Sequence, residues 1–236
     1  MKLIALGDTH GRRNWQGITA GNDFDKVVFI GDYFDTHEGV SAHRQKQNFK
    51  DIVAYKTANM DKVVLLFGNH DYHYLRTVTE TYSGFQQGQK EDIKELLHQA
   101  LDEDLMQMCF VYGKYLFSHA GVTKTWCKNI LGSGNPNKQN IETLINAKFK
   151  DQPEAFKFTI GDSYSIYGDD VCQTPIWVRP DSLRRDAISG FIQVVGHTTQ
   201  QELLLTPPII LIDTLGTSGQ YLVIEGGKMS VSSAGV

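Results

Sequence analysis

Six short apolar runs in this chain each break off at a polar residue. Residues 3–6 run into Gly7-Asp8-Thr9-His10, residues 27–30 into Gly31-Asp32, and residues 63–67 into Gly68-Asn69-His70-Asp71. Further along, residues 115–118 stop at His119, residues 191–195 at Gly196-His197, and residues 209–212 at Asp213. Runs of four or five residues rich in Val and Ile predict buried strands. Between them the period changes. Ile93, Leu96, Leu97, Ala100, Leu101 and Leu105 recur at the spacing of an amphipathic helix. A second helix is predicted over 43–58, with Phe49, Ile52, Val53 and Lys56 on one face, and a third around Ile141, Leu144 and Ile145. Strands alternating with helices predict βαβ units and an α/β fold.

The pattern shifts near the end. Residues 209–212, 221–225 and 228–231 read as strands with no helix between them, and Gly226-Gly227 reads as a two-residue hairpin turn. Residues 150–190 show weak periodicity, several aromatics, and Pro153, Pro175 and Pro180. That stretch reads as an irregular excursion near the site, since long loops in compact domains are usually functional or disordered. No repeat or linker interrupts residues 1–236, so a single domain is expected.

Composition narrows the class. With 23 Lys and Arg against 27 Asp and Glu, the net charge is −4, which argues against a broad nucleic-acid footprint. No apolar stretch approaches the roughly 20 residues of a membrane helix, and the N-terminus reaches Gly7-Asp8 too soon for a signal peptide. Cys109, Cys127 and Cys172 are odd in number, widely spaced and without a CxxC pair. They fit reduced thiols in a cytoplasm and exclude a cysteine zinc site.

The chemistry lies in what ends the strands. Asp8, His10, Asp32, Asn69, His70, His119 and His197 stand at or just past their C-terminal ends, the rim where open α/β sheets bind ligands. Two carboxylates, a carboxamide and several imidazoles suit manganese, iron, cobalt, nickel or zinc better than calcium. Asp8-Thr9-His10 reads as a strand-end D-x-H, an extended segment whose alternate residues point the same way so that both side chains can grip one ion.

In order, Gly7-Asp8-Thr9-His10-Gly11, Gly31-Asp32-Tyr33-Phe34-Asp35, Gly68-Asn69-His70-Asp71, His119-Ala120-Gly121 and Gly196-His197-Thr198 resemble the motifs of calcineurin-like metallophosphoesterases. Pro175-Ile176-Trp177-Val178-Arg179 and Ile212-Asp213-Thr214 resemble segments of its phosphoprotein-phosphatase branch, which includes small serine/threonine phosphatases and symmetrical dinucleoside tetraphosphatases. The resemblance implies two mixed β-sheets packed face to face and flanked by helices, in four layers. It implies two divalent ions, manganese first among the candidates: Asp8, His10 and Asp32 on one, Asp32, Asn69, His119 and His197 on the other. His70, paired with Asp35, would donate to the leaving alkoxide or to a phosphate oxygen.

Charge counting agrees with that arrangement. Two divalent ions, two carboxylates and a hydroxide leave a net positive site for a phosphate anion, and metal binding brings a water's pKa down towards about 7. The expected reaction is therefore hydrolysis of a phosphomonoester, on a protein or a small metabolite, by direct attack of metal-bound hydroxide. Two departures from the family pattern bear on this. Asp35 is followed by Thr36-His37 where relatives have a phosphate-clamping Arg. Arg179 would be half of that clamp or a structural ion pair, with Arg12, Arg13, His37 or Arg44 as candidate substitutes. Thr199 stands where many relatives have a further His. Diesters or dinucleoside polyphosphates are the alternative substrates, and a metal-binding scaffold without turnover is the second alternative. His43, His73 and His98, like His37, read as surface residues or supports behind the site. Substrate identity and oligomeric state stay open.

Overall fold

The computed structural model describes residues 1–36, 39–75, 78–161, 165 and 167–234. In chain order its strands are β1 (Lys2–Leu6), β2 (Lys26–Phe29), β3 (Val63–Leu66), β4 (Met106–Gln107), β5 (Cys109–Tyr112), β6 (Tyr115–Ser118), β7 (Ile192–Val195), β8 (Ile209–Leu211), β9 (Gln220–Glu225) and β10 (Lys228–Ser233). The helices are α1 (Asn14–Ala20), α2 (Ala42–Ala58), α3 (Asn69–Tyr72), α4 (Lys90–Asp102), α5 (Lys124–Leu131), α6 (Ile141–Asp151) and α7 (Pro180–Asp186). One sheet runs β10-β9-β1-β2-β3-β4 and the other β5-β6-β7-β8. Both are mixed. β1 to β4 pair in parallel, with β9 and β10 added antiparallel; β6 to β8 are parallel, with β5 antiparallel at the edge.

Side-chain alternation explains why the strand runs are apolar throughout. Leu3, Ala5, Val28, Val64 and Leu66 meet Phe117, Val194 and Ile210 between the sheets. Their neighbours Ile4, Leu6, Val27, Phe29, Val63 and Leu65 face the other way, against Trp15 and Ile18 of α1, Phe49 and Ile52 of α2, and Ile93 and Leu97 of α4. The outer face of the second sheet packs Val195, Ile209 and Leu211 on Leu183 of α7. A strand covered on both faces has no polar side to show. Each such side chain contributes roughly 1.5–3 kcal/mol on burial. The expected α/β fold of two face-to-face mixed sheets flanked by helices is what the chain adopts.

Some elements depart from the sequence pattern. The hairpin β5–β6 turns on Gly113-Lys114 with Gly113 at φ 59°, and β4 is only two residues long. In α6 the buried face is Ile141, Ile145 and Phe149, while Leu144 is 39% exposed. The described part of the excursion includes a 3-10 turn, Pro153–Phe156, and ends in α7, which starts on Pro180. Gly226-Gly227 forms the hairpin turn, pairing Glu225 with Lys228. Among the described residues no helix is long and apolar enough to cross a membrane.

Candidate metal centre and active site

The loops after β1, β2, β3, β7 and β8 meet in one cleft of about 510 Å³, lined by Asp8, His10, Asp32, Asn69, His70 and His197 among others, with His119 of the loop after β6 buried against Asp32 and Asn69. Hydrogen bonds stitch these loops together. The His197 amide donates to both Asp8 carboxylate oxygens at 3.2 and 3.1 Å, and the His70 amide donates to Asp32 Oδ1 at 2.9 Å. The backbone bends sharply here. Of five non-glycine residues with positive φ among those described, four are His10 (45°), Asp32 (54°), Asp35 (60°) and His197 (62°). Each such conformation costs on the order of 1–3 kcal/mol and persists only where its surroundings enforce it.

Asp8 and His10 do converge, but not along an extended strand. The chain turns at His10 and Gly11, with φ 45° and 81°, and Phe34 O holds His10 Nδ1 at 2.7 Å. That turn, rather than strand alternation, brings His10 Nε2 to 4.0 Å from Asp8 Oδ2 and 3.8 Å from Asp32 Oδ2.

Backbone carbonyls also decide which ring nitrogens carry protons. Phe34 O takes Nδ1–H of His10, Ile30 O takes Nδ1–H of His119 at 3.0 Å, and Trp177 O takes Nε2–H of His197 at 3.1 Å. In each neutral ring the opposite nitrogen then carries a lone pair. Those lone pairs face oxygens: His119 Nε2 lies 2.9 Å from Asn69 Oδ1 and 3.3 Å from Asp32 Oδ2, and His197 Nδ1 lies 2.8 Å from Asn69 Oδ1. Acceptors aimed at acceptors have no proton to share, so the donor set fits a cation. Asp8, Asp32 and His119 alone bring three ligand atoms within 4.8 Å of one another, all buried.

The charges carry the same message. Burial, Asp213 and Asp32 push the Asp8 carboxyl well above its ordinary range. Burial pushes Asp213 up, and Asp32 adds to it. Burial would raise Asp32 too, but positive charge beside it, on His119 first and then His70 and His10 when those rings are protonated, holds it well below the usual range. His197 is kept neutral by burial and by Arg179 and His119 nearby. Two glycines make room for the carboxylates: a Cβ on Gly68 would overlap Asp32 Oδ1, and one on Gly196 would overlap Asp8 Oδ1.

Beside this centre, Asp35 organises a second group. It receives His70 Nδ1 at 3.4 Å, the buried His73 Nε2, Tyr74 Oη at 2.6 Å and Gln86 Nε2 at 2.9 Å. Burial alone would raise its pKa; these donors lower it. For His70, burial opposes the charge, but Asp32 and Asp35 raise its pKa overall. Asp71, next to His70 in the chain, lies wholly buried and accepts the amides of Asp32, Tyr33 and Gly68 at 2.9, 2.9 and 3.0 Å.

Arg179 lines the cleft. Its Nε donates to Tyr167 O at 2.8 Å, and its Nη1 donates to His197 O and Thr198 Oγ1, each at 3.2 Å. None of these acceptors is a carboxylate. Arg12 and Thr36 also line the cleft, whereas Arg13 pairs with Asp51, and Arg44 and His43 are exposed outside it. His98 lines a separate hollow, and His37 lies outside the described residues. Thr199 donates to Asp213 Oδ2 at 2.7 Å. Asp213 follows the run at 209–212 just as Asp8 follows 3–6, so the strand-end rule marks it as a cleft residue as well. His73, Tyr74 and Gln86 carry no comparable signal.

Comparison with known proteins places the chain. The family model described as calcineurin-like phosphoesterase matches residues 1–169. The chain belongs to that family. This calcineurin-like phosphoesterase is therefore a hydrolase of phosphoric esters, and the family implies divalent metals. Arg179, His197 and Asp213 fall beyond the matched segment. No curated protein gives a significant sequence match. Among solved structures, a cold-active protein-tyrosine phosphatase of the psychrophile Shewanella sp. superposes with a TM-score of 0.61 at 18% identity, covering 99% of this chain and 80% of that one. A serine/threonine phosphatase from Saccharomyces cerevisiae, similar to human phosphatase PP5, gives 0.59 at 13% identity, covering 100% and 81%. Both share the fold.

Proposed function

We propose that this phosphoesterase hydrolyses phosphomonoesters at a centre of two divalent cations, with Asp8, His10 and Asp32 holding one and Asp32, Asn69, His119 and His197 the other. The observation that carries this is the meeting of imidazole lone pairs with carboxylate and carboxamide oxygens around Asp32 Oδ2 and Asn69 Oδ1. Cations there would supply Lewis acidity and a water acidic enough to be a nucleophile near neutral pH. Manganese suits the mixed oxygen and nitrogen set, as do iron, zinc, nickel and cobalt. The protein's own part is positional. Asp35 orients His70 through Nδ1, leaving Nε2 to donate to the leaving oxygen or to a phosphate oxygen. Arg179, held by three oxygens and without a carboxylate partner among the described residues, contributes its charge at the cleft wall. The phosphoprotein-phosphatase branch is the reading that the Trp177-Val178-Arg179 segment supports.

Two observations favour a second reading, diester or phosphoanhydride cleavage. Thr36 lines the cleft where the family pattern has an arginine, and Asp213 adds a carboxylate to those of Asp8, Asp32 and Asp35. Both lower the positive charge offered to a dianion. The test is one experiment. Manganese-loaded protein is expected to hold two ions per chain by elemental analysis and to turn over p-nitrophenyl phosphate faster than its bis ester. The reverse preference would favour the second reading. One ion per chain would overturn the dinuclear centre. Two ions without turnover of any phosphate compound would return the scaffold alternative.

A further inference from the structure

Besides its carboxylates and imidazoles, the cleft is lined by three aromatic side chains, Tyr82, Phe158 and Trp177. Trp177 meets both of the others edge on, Tyr82 at 4.4 Å between centroids and Phe158 at 5.2 Å, while Tyr82 and Phe158 are tilted at 50° and 6.5 Å apart. The Phe158 amide donates to Tyr82 Oη at 3.4 Å, joining segments 76 residues apart. Trp177 is almost wholly buried, while Tyr82 and Phe158 are half-buried at the cleft surface.

This wall touches both halves of the machinery. The Trp177 ring lies 5.9 Å from the His197 ring. Tyr82 stacks on His73 at 5.7 Å and 10°, and His73 lies edge-on to His70 at 5.9 Å. The aromatic surface thus begins a single ring away from His197 and a single ring behind His70. A substrate whose ring sits directly on the scissile oxygen would reach it at once. A nucleotide would first have to house a ribose between phosphate and base, and an alkyl phosphate would leave the wall uncovered.

We propose that the Tyr82–Phe158–Trp177 wall is the leaving-group subsite and that it selects phosphomonoesters of phenols, the tyrosyl phosphate side chain being the protein-borne form. The proposal rests on the phosphoesterase reading above and names the substrate class for it. Flat rings prefer edge-to-face and offset packing against such a wall, so the selection acts in binding and is readable without turnover.

The probes are non-hydrolysable. Phenylphosphonate and methylphosphonate share the anionic head and differ only in the ring, and inhibition constants are measured for both on manganese-loaded enzyme. Phenylphosphonate is expected to inhibit roughly tenfold more tightly or better, the gain a well-packed ring gives. Tyr82→Leu and Phe158→Leu keep apolar bulk but lose flatness, and each is expected to bring that ratio down to about twofold. Circular dichroism melts confirm that the variants fold, and a variant that unfolds is replaced by its partner. Equal inhibition in the wild type, or a ratio unchanged in both variants, would overturn the subsite. A 5′-nucleoside phosphonate that outcompetes phenylphosphonate would overturn it in favour of a nucleotide. Failure of both simple phosphonates and of inorganic phosphate to bind would instead sink the phosphoesterase reading, and the subsite with it.

Discussion

Asp35 accepts from four side chains, and only one of them, His70, reaches the cleft. The other three, His73, Tyr74 and Gln86, fix the carboxylate so that it meets His70 in a set orientation. The imidazolium is favoured because Asp32 and Asp35 together outweigh the burial that opposes it. His70→Asn is therefore expected to keep the metals, by elemental analysis, and to lower kcat by roughly 10²–10⁴. Asp35→Asn removes one of the groups that raise the His70 pKa, so the alkaline limb of the kcat profile should move to lower pH. A limb that stays in place would take Asp35 out of that role. Residues at this scale were unequally legible. Asp8, Asp32 and His119 announce themselves because each ends an apolar run. Asp213 obeys the same rule yet reads first as part of a closing hairpin. Tyr82 and Phe158 lie in aperiodic segments, and only folding brings them together.

Among the described elements, α3 is the shortest α-helix, four residues, and bears more of the site than any other. It carries Asn69, His70 and Asp71, and its carboxylate Asp71 ties the loop after β2 to the loop after β3 through three amides. Each amide would otherwise be a buried donor without an acceptor, a loss of about 1–3 kcal/mol. Asp71→Ala is predicted to lower stability by about 3 kcal/mol or more in urea unfolding, allowing for partial relaxation. A loss under about 1 kcal/mol would show that water replaces the carboxylate there. Strands were the most legible elements, because double-sided burial leaves an unmistakable apolar run. Helices depended on their partners. α2 and α4 show their stripes, α1 buries only Trp15 and Ile18, and α6 presents Phe149 where the sequence suggested Leu144.

For the whole molecule, the cost of the site is collected charge. Asp8, Asp71 and Asp213 are all held above the ordinary carboxylate range, with burial the first cause in each. A folded-state pKa above the unfolded value of about 3.9 means that the metal-free fold binds the proton more tightly. Its stability contribution is complete below that value and is lost as pH rises through the folded pKa. A bound cation favours the ionised form instead. The gap in Tm between manganese-loaded and chelator-treated protein should therefore widen as pH rises above the ordinary carboxylate value of about 3.9. A constant gap would mean that these carboxyls do not sense the cation. The two-sheet arrangement itself was readable only through motif resemblance, since local periodicity reveals strands but not which sheet each one joins.

The hydrogen bond from His197 to Asp8 spans 189 positions, and β1 takes β9 as its neighbour. The first strand finds β2 at once, but residues out to the 220s must be made before it gains its second neighbour. Until His197 follows, Asp8 and Asp32 have His10 and His119 for company but lack its amide and ring, and a product truncated before residue 197 is expected to stay inert towards phosphate esters however much metal surrounds it.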